Sequence, residues 1–390
     1  MSKWINRFTL VLDQLLSGLC WLLFRLFPIE KGKIVFSNYY GRGYGDNPKY
    51  IAEALQCSAS ALRLIWLVQD DQEAKSLPDG IEPCSFKSLK RIYHLSTASV
   101  WVDNCRKSFL FKRKGQLYLQ TWHGFALKRI EKDVEDKLNW QYVKIAKRDS
   151  RHIDYIMSCS QFMTDIYMNS FWYNGEILPY GSPRNDMLIS GDLEISTRVR
   201  EFFDLPQDTK MILYAPTFRA DGSLAPYEVD FNRVLLACEK RFGKGFAVLV
   251  RLHPNIASRS NELGIVYTQN IINATYYPDM QELLCASDMV ISDYSSLMFD
   301  FALSMKPCFQ FAMDIVNYKQ DRNFYFSLDK LPFPLAVDND SLEENIRSFD
   351  YAYYKDRLTE FYTSVGMIMG GNASARCAEL IIRHCRKEDR

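Results

Sequence analysis

From Lys33 onward, short runs of almost uninterrupted apolar residues alternate with stretches whose apolar positions recur at helical spacing. The short runs predict strands at Ile34–Ser37, Leu62–Val68, Ser99–Val102, Leu117–Thr121, Tyr155–Ser158 and Glu176–Leu178. Helical spacing predicts helices at Pro48–Leu55, Lys87–Leu95 and Gln161–Asn169. After a link at Ile189–Leu205 the alternation restarts, with strands expected at Met211–Ala215, Phe246–Leu252, Ile265–Val266, Met289–Ser292 and Cys308–Phe311. The helices of this half are expected at Asn232–Arg241, Met280–Ala286 and Ser296–Ser304. Strands with no polar alternation are covered on both faces, so the pattern specifies parallel sheets between helices. The expectation is an α/β chain of two Rossmann-like domains around a central cleft, residues 31–190 and 191–390.

The first thirty residues stand apart. They are strongly apolar, are interrupted by Asp13, Gln14 and Arg25, and end at Pro28. The clean run Leu15–Phe24 falls short of the ~20 residues that a spanning helix needs, and Phe27-Pro28-Ile29-Glu30 makes a poor signal-peptide cleavage site. Two readings fit. One is an interfacial helix with Lys3, Trp4, Arg7, Trp21 and Arg25 at headgroup level. The other is a helix docked on the protein's own core. The breadth of the apolar circumference favours the first.

Composition narrows the field. A formal net charge of +1 over 390 residues lacks the basic excess of a nucleic-acid binder, so any polyanionic ligand must be met by locally gathered cations. Ten scattered cysteines without a CxxC pair read as thiols of a reducing compartment, the cytoplasm, rather than a disulfide or zinc framework.

The candidate chemistry sits at strand ends, where open α/β sheets hold ligands. His123 follows Leu117–Thr121 in Trp122-His123-Gly124, near Lys128 and Arg129. An imidazole there suits a general base for a hydroxyl nucleophile; taken alone, a histidine hydrogen-bonded into its own loop is the commoner case, and the adjacent Lys128 and Arg129, suited to an anion, narrow that gap. His253 closes Arg251-Leu252-His253-Pro254, and strand parity aims Arg251 and His253 the same way. Together they suit a pyrophosphate, against the alternative of a surface ion pair. Asp293-Tyr294-Ser295-Ser296 opens a helix, offering hydroxyls and backbone N–H groups to an anion, or plain N-caps. Arg219 lies just past a strand. Arg184, in Gly181-Ser182-Pro183-Arg184-Asn185-Asp186, is expected to bridge the halves. Gly41-Arg42-Gly43-Tyr44-Gly45-Asp46-Asn47-Pro48 forms a glycine-rich, acceptor-side lip. Asp338-Asn339-Asp340 reads more economically as a helix cap than as a metal-binding DxD, so no metal or other cofactor is expected. No Walker loop or GxGxxG motif occurs.

In their order along residues 33 to 380, these segments resemble the CDP-glycerol glycerophosphotransferase family, which builds the glycerol-phosphate parts of teichoic acids and capsular polymers. The matching pieces are Gly45-Asp46-Asn47-Pro48-Lys49, Gln120-Thr121-Trp122-His123-Gly124 with Lys128, Gly181–Asp186 and Tyr214-Ala215-Pro216-Thr217-Phe218-Arg219. Further matches are Arg251–Pro254, Ser292–Ser296 with Asp300, Lys306-Pro307, and Gly371-Asn372-Ala373-Ser374. Gly370 departs from the acidic residue often found before that last glycine. The resemblance implies a GT-B type fold with the donor nucleotide on the C-terminal domain and peripheral attachment to the inner leaflet of the cytoplasmic membrane. It implies transfer of glycerol phosphate from CDP-glycerol to a lipid-linked saccharide or glycerol-phosphate acceptor, releasing CMP, with no nucleic-acid partner. His123 then matches the general base, His253 the histidine at the donor pyrophosphate, and Ser295 and Ser296 the phosphate-binding turn. Arg219, Arg251, Asp293, Lys128, Arg184 and Asn47 fall among the substrate-binding positions. CDP-ribitol or a nucleotide sugar as donor, and a non-catalytic membrane scaffold, are the competing readings.

Overall fold

The computed structural model describes residues 18–58, 61–107, 112–219, 223–224, 227–253, 256, 260–315 and 324–386. Lys3, Trp4 and Arg7 of the expected interfacial helix, and Pro254, lie outside the described residues.

Two parallel sheets organise the chain. The first contains β1 (Glu30–Ser37), β2 (Arg63–Val68), β3 (Ile81–Ser85), β4 (Ala98–Asp103), β5 (Leu117–Gln120), β6 (Tyr155–Met157) and β7 (Glu176–Leu178), in the order β3-β2-β1-β4-β5-β6-β7. The second contains β8 (Lys210–Tyr214), β9 (Phe246–Val250), β10 (Ile271–Asn273), β11 (Met289–Ser292), β12 (Cys308–Phe311) and β13 (Leu335–Ala336), in the order β10-β9-β8-β11-β12-β13. Both orders reverse beside their first strand, between β1 and β4 and between β8 and β11. Such switch points open a crevice at the carboxyl ends of the strands. Across the first, Ile34 of β1 pairs with Leu64 of β2 and Val100 of β4, and the β1–β4 register shifts between Glu30 and Ile34.

The central strands are covered on both faces: every residue of β4 and of β9 is buried, Ser99 and Asp103 of β4 included. Helix Asp46–Ser58 starts with Pro48 in its first turn, where the missing N–H costs nothing, and buries Tyr50, Ile51, Ala52 and Leu55. Helix Ala373–Arg386 carries the stripe Ala373, Cys377, Ala378 and Ile381, which joins the same core as Ile34, Ile51 and Val100.

The chain folds into two compact units. The first is Met1–His123, Glu131–Asp186 and Asn372–Arg390; the second is Gly124–Ile130 and Met187–Gly371. The expected domain 191–390 thus differs from the second unit at its end, because the apolar stripe of the last helix belongs to the first core. Asp186 secures that return by accepting from the backbone N–H groups of Ala373 (3.0 Å) and Ser374 (2.8 Å). Residues 124–130 leave the first half for the second, where Phe125 packs against Phe299 at 4.5 Å between ring centroids.

No strand forms at Ile265–Val266. Val266 is 74% exposed, two apolar residues being too short a signal, and the strand comes later as Ile271–Asn273. β3 escapes the pattern because Pro83 interrupts it, which an edge strand tolerates.

Residues 18–24 are helical, and one side of the helix packs on aromatic side chains of the first unit. Trp21 packs edge-on against Trp101 at 6.2 Å, and Phe24 against Tyr93 at 5.5 Å. On the other side Leu19, Leu22, Leu23 and Leu26 are 52–83% exposed. Among the described residues no helix is long and apolar enough to cross a membrane.

Candidate active site

The first cluster of chemistry forms where β5 ends. Thr121 and Trp122 are buried, and Trp122 adopts the left-handed backbone (φ 51°). That conformation costs of the order of 1–3 kcal/mol outside glycine, so neighbours must enforce it. Asn47, 1% exposed, donates from Nδ2 to the Trp122 carbonyl (3.1 Å) and the Thr121 carbonyl (3.4 Å), and accepts at Oδ1 from the Arg184 N–H (3.1 Å). Arg184 Nη1 donates to the His123 carbonyl (3.0 Å) and pairs with Asp46 Oδ2 at 2.9 Å. The turn Ser182–Asp186 therefore grips the His123 loop through backbone and guanidinium. Arg184, expected to bridge the halves, is tied into the first unit.

The His123 imidazole stacks on Trp122 (4.3 Å between centroids, 23°) and lies 5.6 Å from the Tyr39 ring. Burial pushes its pKa down from 6.5 to about 4. The Asp46 carboxylate opposes that shift, and the Arg184 guanidinium adds to it. The ring is neutral at physiological pH, with a nitrogen lone pair able to take a proton.

Behind Trp122 lies a buried ionic cluster that sequence reasoning missed. Arg106 lies 4.7 Å from the Phe171 ring and 5.9 Å from the Trp122 ring, and Trp122 packs edge-on against Phe171. Its guanidinium pairs with Glu131 (3.1 Å) and Asp149 (3.5 Å) and donates to Ser150 Oγ (2.8 Å). All three charged side chains are at most 2% exposed. Burial, offset by Arg106, pushes the Asp149 carboxyl up to about 6. Arg106 stands one residue after Cys105, in a stretch without motif or periodicity to mark it.

The second cluster belongs to the carboxyl ends of β8, β9 and β11. Asp293 is 2% exposed and accepts from the Thr217 N–H (2.9 Å) and the Thr217 hydroxyl (3.0 Å), while Arg219 Nη1 pairs with it at 2.8 Å. Arg219 also meets Asp314 through Nε (2.6 Å) and Nη2 (3.0 Å). Arg219 and Asp293 are engaged with each other, because their loops leave the adjacent strands β8 and β11. Asp314, which completes this clamp, follows β12 in a stretch the motif reading passed over.

Arg251 donates from Nη1 to the Tyr277 carbonyl (2.5 Å), while His253 is exposed and stacks on Phe218 at 5.5 Å. The two side chains reach opposite neighbours, the β10 loop and the β8 loop. Strand parity fails here because β9 stops at Val250. Partial burial among its neighbours lowers the His253 pKa below the ordinary imidazole value.

Ser295 and Ser296 precede the five-residue helix Leu297–Phe301. Ser296 makes no side-chain capping bond, and Ser295 Oγ accepts only a long bond from the Leu297 N–H (3.4 Å). Lys128 pairs through an antiparallel bridge with Phe324, within the second unit. The Asp338 carboxylate caps helix Asn339–Arg347 through the Ser341 N–H (2.7 Å), and Asp340 pairs with Arg233 at 2.7 Å, as the capping reading expected. Among the described residues no group of histidine, cysteine and carboxylate side chains is arranged to hold a metal ion.

A family model described as CDP-Glycerol:Poly(glycerophosphate) glycerophosphotransferase matches residues 20–383. The chain is 32% identical over 375 residues to a teichoic acid poly(glycerol phosphate) polymerase of Staphylococcus epidermidis, covering 92% of this chain and 52% of the polymerase, so it spans about half the length of that relative. It is 30% identical over 369 residues to a teichoic acid glycerol-phosphate transferase of Staphylococcus aureus, covering 91% of this chain and 94% of the relative. The solved structure of the wall teichoic acid polymerase TagF superposes with a TM-score of 0.82 at 30% identity, over 98% of each chain. The two parallel sheets are those of a GT-B-like fold.

Proposed function

Because the chain belongs to the CDP-glycerol:poly(glycerophosphate) glycerophosphotransferase family, we propose that it transfers glycerol phosphate from CDP-glycerol to a hydroxyl of a membrane lipid-linked acceptor. The observation that carries this reading is the placement of His123 at the end of β5, held at its own carbonyl by Arg184 and at the Trp122 carbonyl by Asn47. His123 takes the acceptor proton. The acceptor oxygen forms a bond to the phosphorus bearing glycerol, the bond from that phosphorus to the bridging oxygen breaks, and CMP leaves with the electron pair. Transfer of this kind needs positioning and charge stabilisation above all. Arg251 supplies permanent charge, His253 an N–H donor, and Ser295 and Ser296 their hydroxyls, with Lys128 a further cation. Arg219, Asp293 and Asp314 act one step back by fixing the loops that carry them.

His253→Ala is expected to lower kcat/KM for CDP-glycerol about tenfold or more, the scale of one lost hydrogen bond to a charged group, while the acid limb set by His123 stays in place. Steady-state CMP release across pH checks both. Assaying CDP-glycerol beside CDP-ribitol and UDP-sugars tests the donor: CMP release confined to CDP-ribitol, or turnover only with a UDP-sugar, contradicts the reading.

Membrane attachment belongs to the same proposal. Leu19, Leu22, Leu23 and Leu26 recur at helical spacing on the side of the helix away from Trp21 and are exposed. Seating them in the acyl boundary releases roughly 1.5–3 kcal/mol per fully buried side chain. Replacing Leu22, Leu23 and Leu26 together by glutamine is expected to reduce co-sedimentation with anionic vesicles at least tenfold. Unchanged sedimentation removes this face from membrane binding.

A further inference from the structure

The chain leaves the first unit directly after His123 and re-enters it at Glu131, so Gly124–Ile130 belongs to the second unit. Both crossing points have a positive φ, 127° at Gly124 and 55° at Glu131, and the value at Gly124 is one that only glycine adopts readily. Between them the segment is held firmly. Phe125, Ala126 and Leu127 are buried. The Leu127 carbonyl accepts from the Tyr325 N–H (3.0 Å), Lys128 bridges Phe324, and the Ile130 N–H donates to the Tyr325 hydroxyl (3.4 Å). Two rings join this arm to the turn that precedes helix Leu297–Phe301. Tyr294, just before Ser295, lies 5.9 Å from Phe324 between ring centroids, and its hydroxyl donates to Asp314 (3.0 Å). Phe299, one helical turn beyond Ser296, lies 4.5 Å from Phe125, which also stacks on Phe326 at 5.9 Å. Ser295 and Ser296 are thus flanked on both sides by rings packed against the arm or its partner strand.

Both ends of the arm lead back to the base. Gly124 is bonded to His123 itself. Glu131 pairs with Arg106 (3.1 Å), whose guanidinium lies 5.9 Å from the Trp122 ring, and the His123 imidazole stacks on that ring. A close-packed interior transmits displacements instead of absorbing them. A shift of the arm therefore reaches the imidazole twice, along the chain and through Glu131, Arg106 and Trp122. We propose that Gly124–Ile130 is a coupling arm: donor phosphate seated at the Ser295–Ser296 turn sets the position of the His123 imidazole through Tyr294 and Phe299. Phe125 is then a positioning residue, acting through the arm. The proposal rests on the reading of that turn as the donor-phosphate site, and it makes the base competent only once the donor is in place.

The test is NMR of the full chain with isotope-labelled histidine. Its five imidazoles are few enough to resolve singly, and His123 is assigned by the signal missing from His123→Asn. CDP-glycerol is added without acceptor, so that no transfer occurs. In wild type the His253 and His123 signals are both expected to move. Those of His94, His152 and His384, all in the first unit, should stay in place and report an intact fold. Phe125→Leu keeps an apolar side chain at this buried position but removes the ring between Phe299 and Phe326. It is expected to keep the His253 response and lose most of the His123 response. With acceptor present, its kcat should fall about tenfold to a hundredfold, the scale of a displaced catalytic group, with the KM for CDP-glycerol within about twofold of wild type. Where Phe125→Leu does not fold, Tyr325→Leu, at a half-buried position, is held to the same expectations. A His123 response that survives in the folded variant shows direct contact with the donor and overturns the proposal. A His123 signal that stays still in wild type while His253 moves overturns it too. If neither histidine responds in wild type, the donor-site reading fails and the coupling falls with it.

Discussion

Replacing His123 by alanine is expected to cut turnover about 10²–10⁴-fold, the usual worth of a positioned general base, while CDP-glycerol binding stays within about twofold of wild type. The separation follows from the division of labour: His123 lies in the first unit, whereas Arg251, His253, Ser295 and Ser296 lie in the second. The pH profile gives the same residue a second signature. Its imidazole is held down at about 4, below the ordinary 6.5, chiefly by burial. Because kcat/KM reports the free enzyme's base, its acid limb should stay level through pH 6 and fall only as pH approaches 4. Stability changes in the same window. Between 6.5 and about 4 the unfolded chain binds a proton that the folded imidazole refuses, so this group's contribution weakens as pH falls through that range. Isothermal titration with CDP-glycerol, single-turnover CMP release and the pH profile together check the assignment. Near-normal turnover in a folded His123→Ala protein removes the residue from the mechanism.

The second large effect is on stability. Arg106→Met should destabilise the fold by about 3–5 kcal/mol, because it strands two carboxylates that are no more than 2% exposed. Glu131 also accepts from the Tyr142 hydroxyl, but Asp149 keeps one oxygen without a hydrogen bond even in the intact cluster. Asp149 sets the pH dependence. Its carboxyl is raised from 3.8 to about 6 in the folded state, so in that interval the folded protein retains a proton that the unfolded chain has lost. Its stabilising contribution is therefore complete below 3.8 and is lost as pH rises through 6. Without Arg106 the Asp149 carboxyl should move higher still, making the loss greater at pH 8 than at pH 5. Urea unfolding at those two pH values checks the sign; an equal loss at both pH values shows that the guanidinium acts by packing alone. Because Arg106 lies against the Trp122 and Phe171 rings, Arg106→Lys, which keeps charge without the planar stack, should lower kcat more than it lowers stability.

The alternation of apolar runs and helical stretches reveals the two parallel sheets because strands buried on both faces carry uninterrupted apolar runs, as in Val100–Val102 of β4 and the whole of β9. Met289–Ser292 and Cys308–Phe311 stand in the structure with the bounds their apolar runs predict. The edges are less legible. β10 and β13 have three and two residues, too few to show a period, and β3 contains Pro83. The return of helix Ala373–Arg386 to the first core is a long-range packing event that no local signal records. At the site, a strand end and a motif bring His123, Asn47 and Arg184 to notice, and the structure joins them through one network of hydrogen bonds. Arg219 and Asp293 also stand out in the sequence, but spacing cannot show that each spends its charge on the other. Asp314 and Arg106 escape because their significance lies in partners 95 and 25 residues away.

The most direct test of the central claim is mass spectrometry of the products formed from CDP-glycerol and a short lipid-linked disaccharide, with wild type and His123→Asn side by side. Wild type should yield acceptor carrying glycerol phosphate and an equal amount of CMP, and the variant neither. Acceptor left unmodified by wild type, or glycerol phosphate added at an undiminished rate by the variant, would contradict the account.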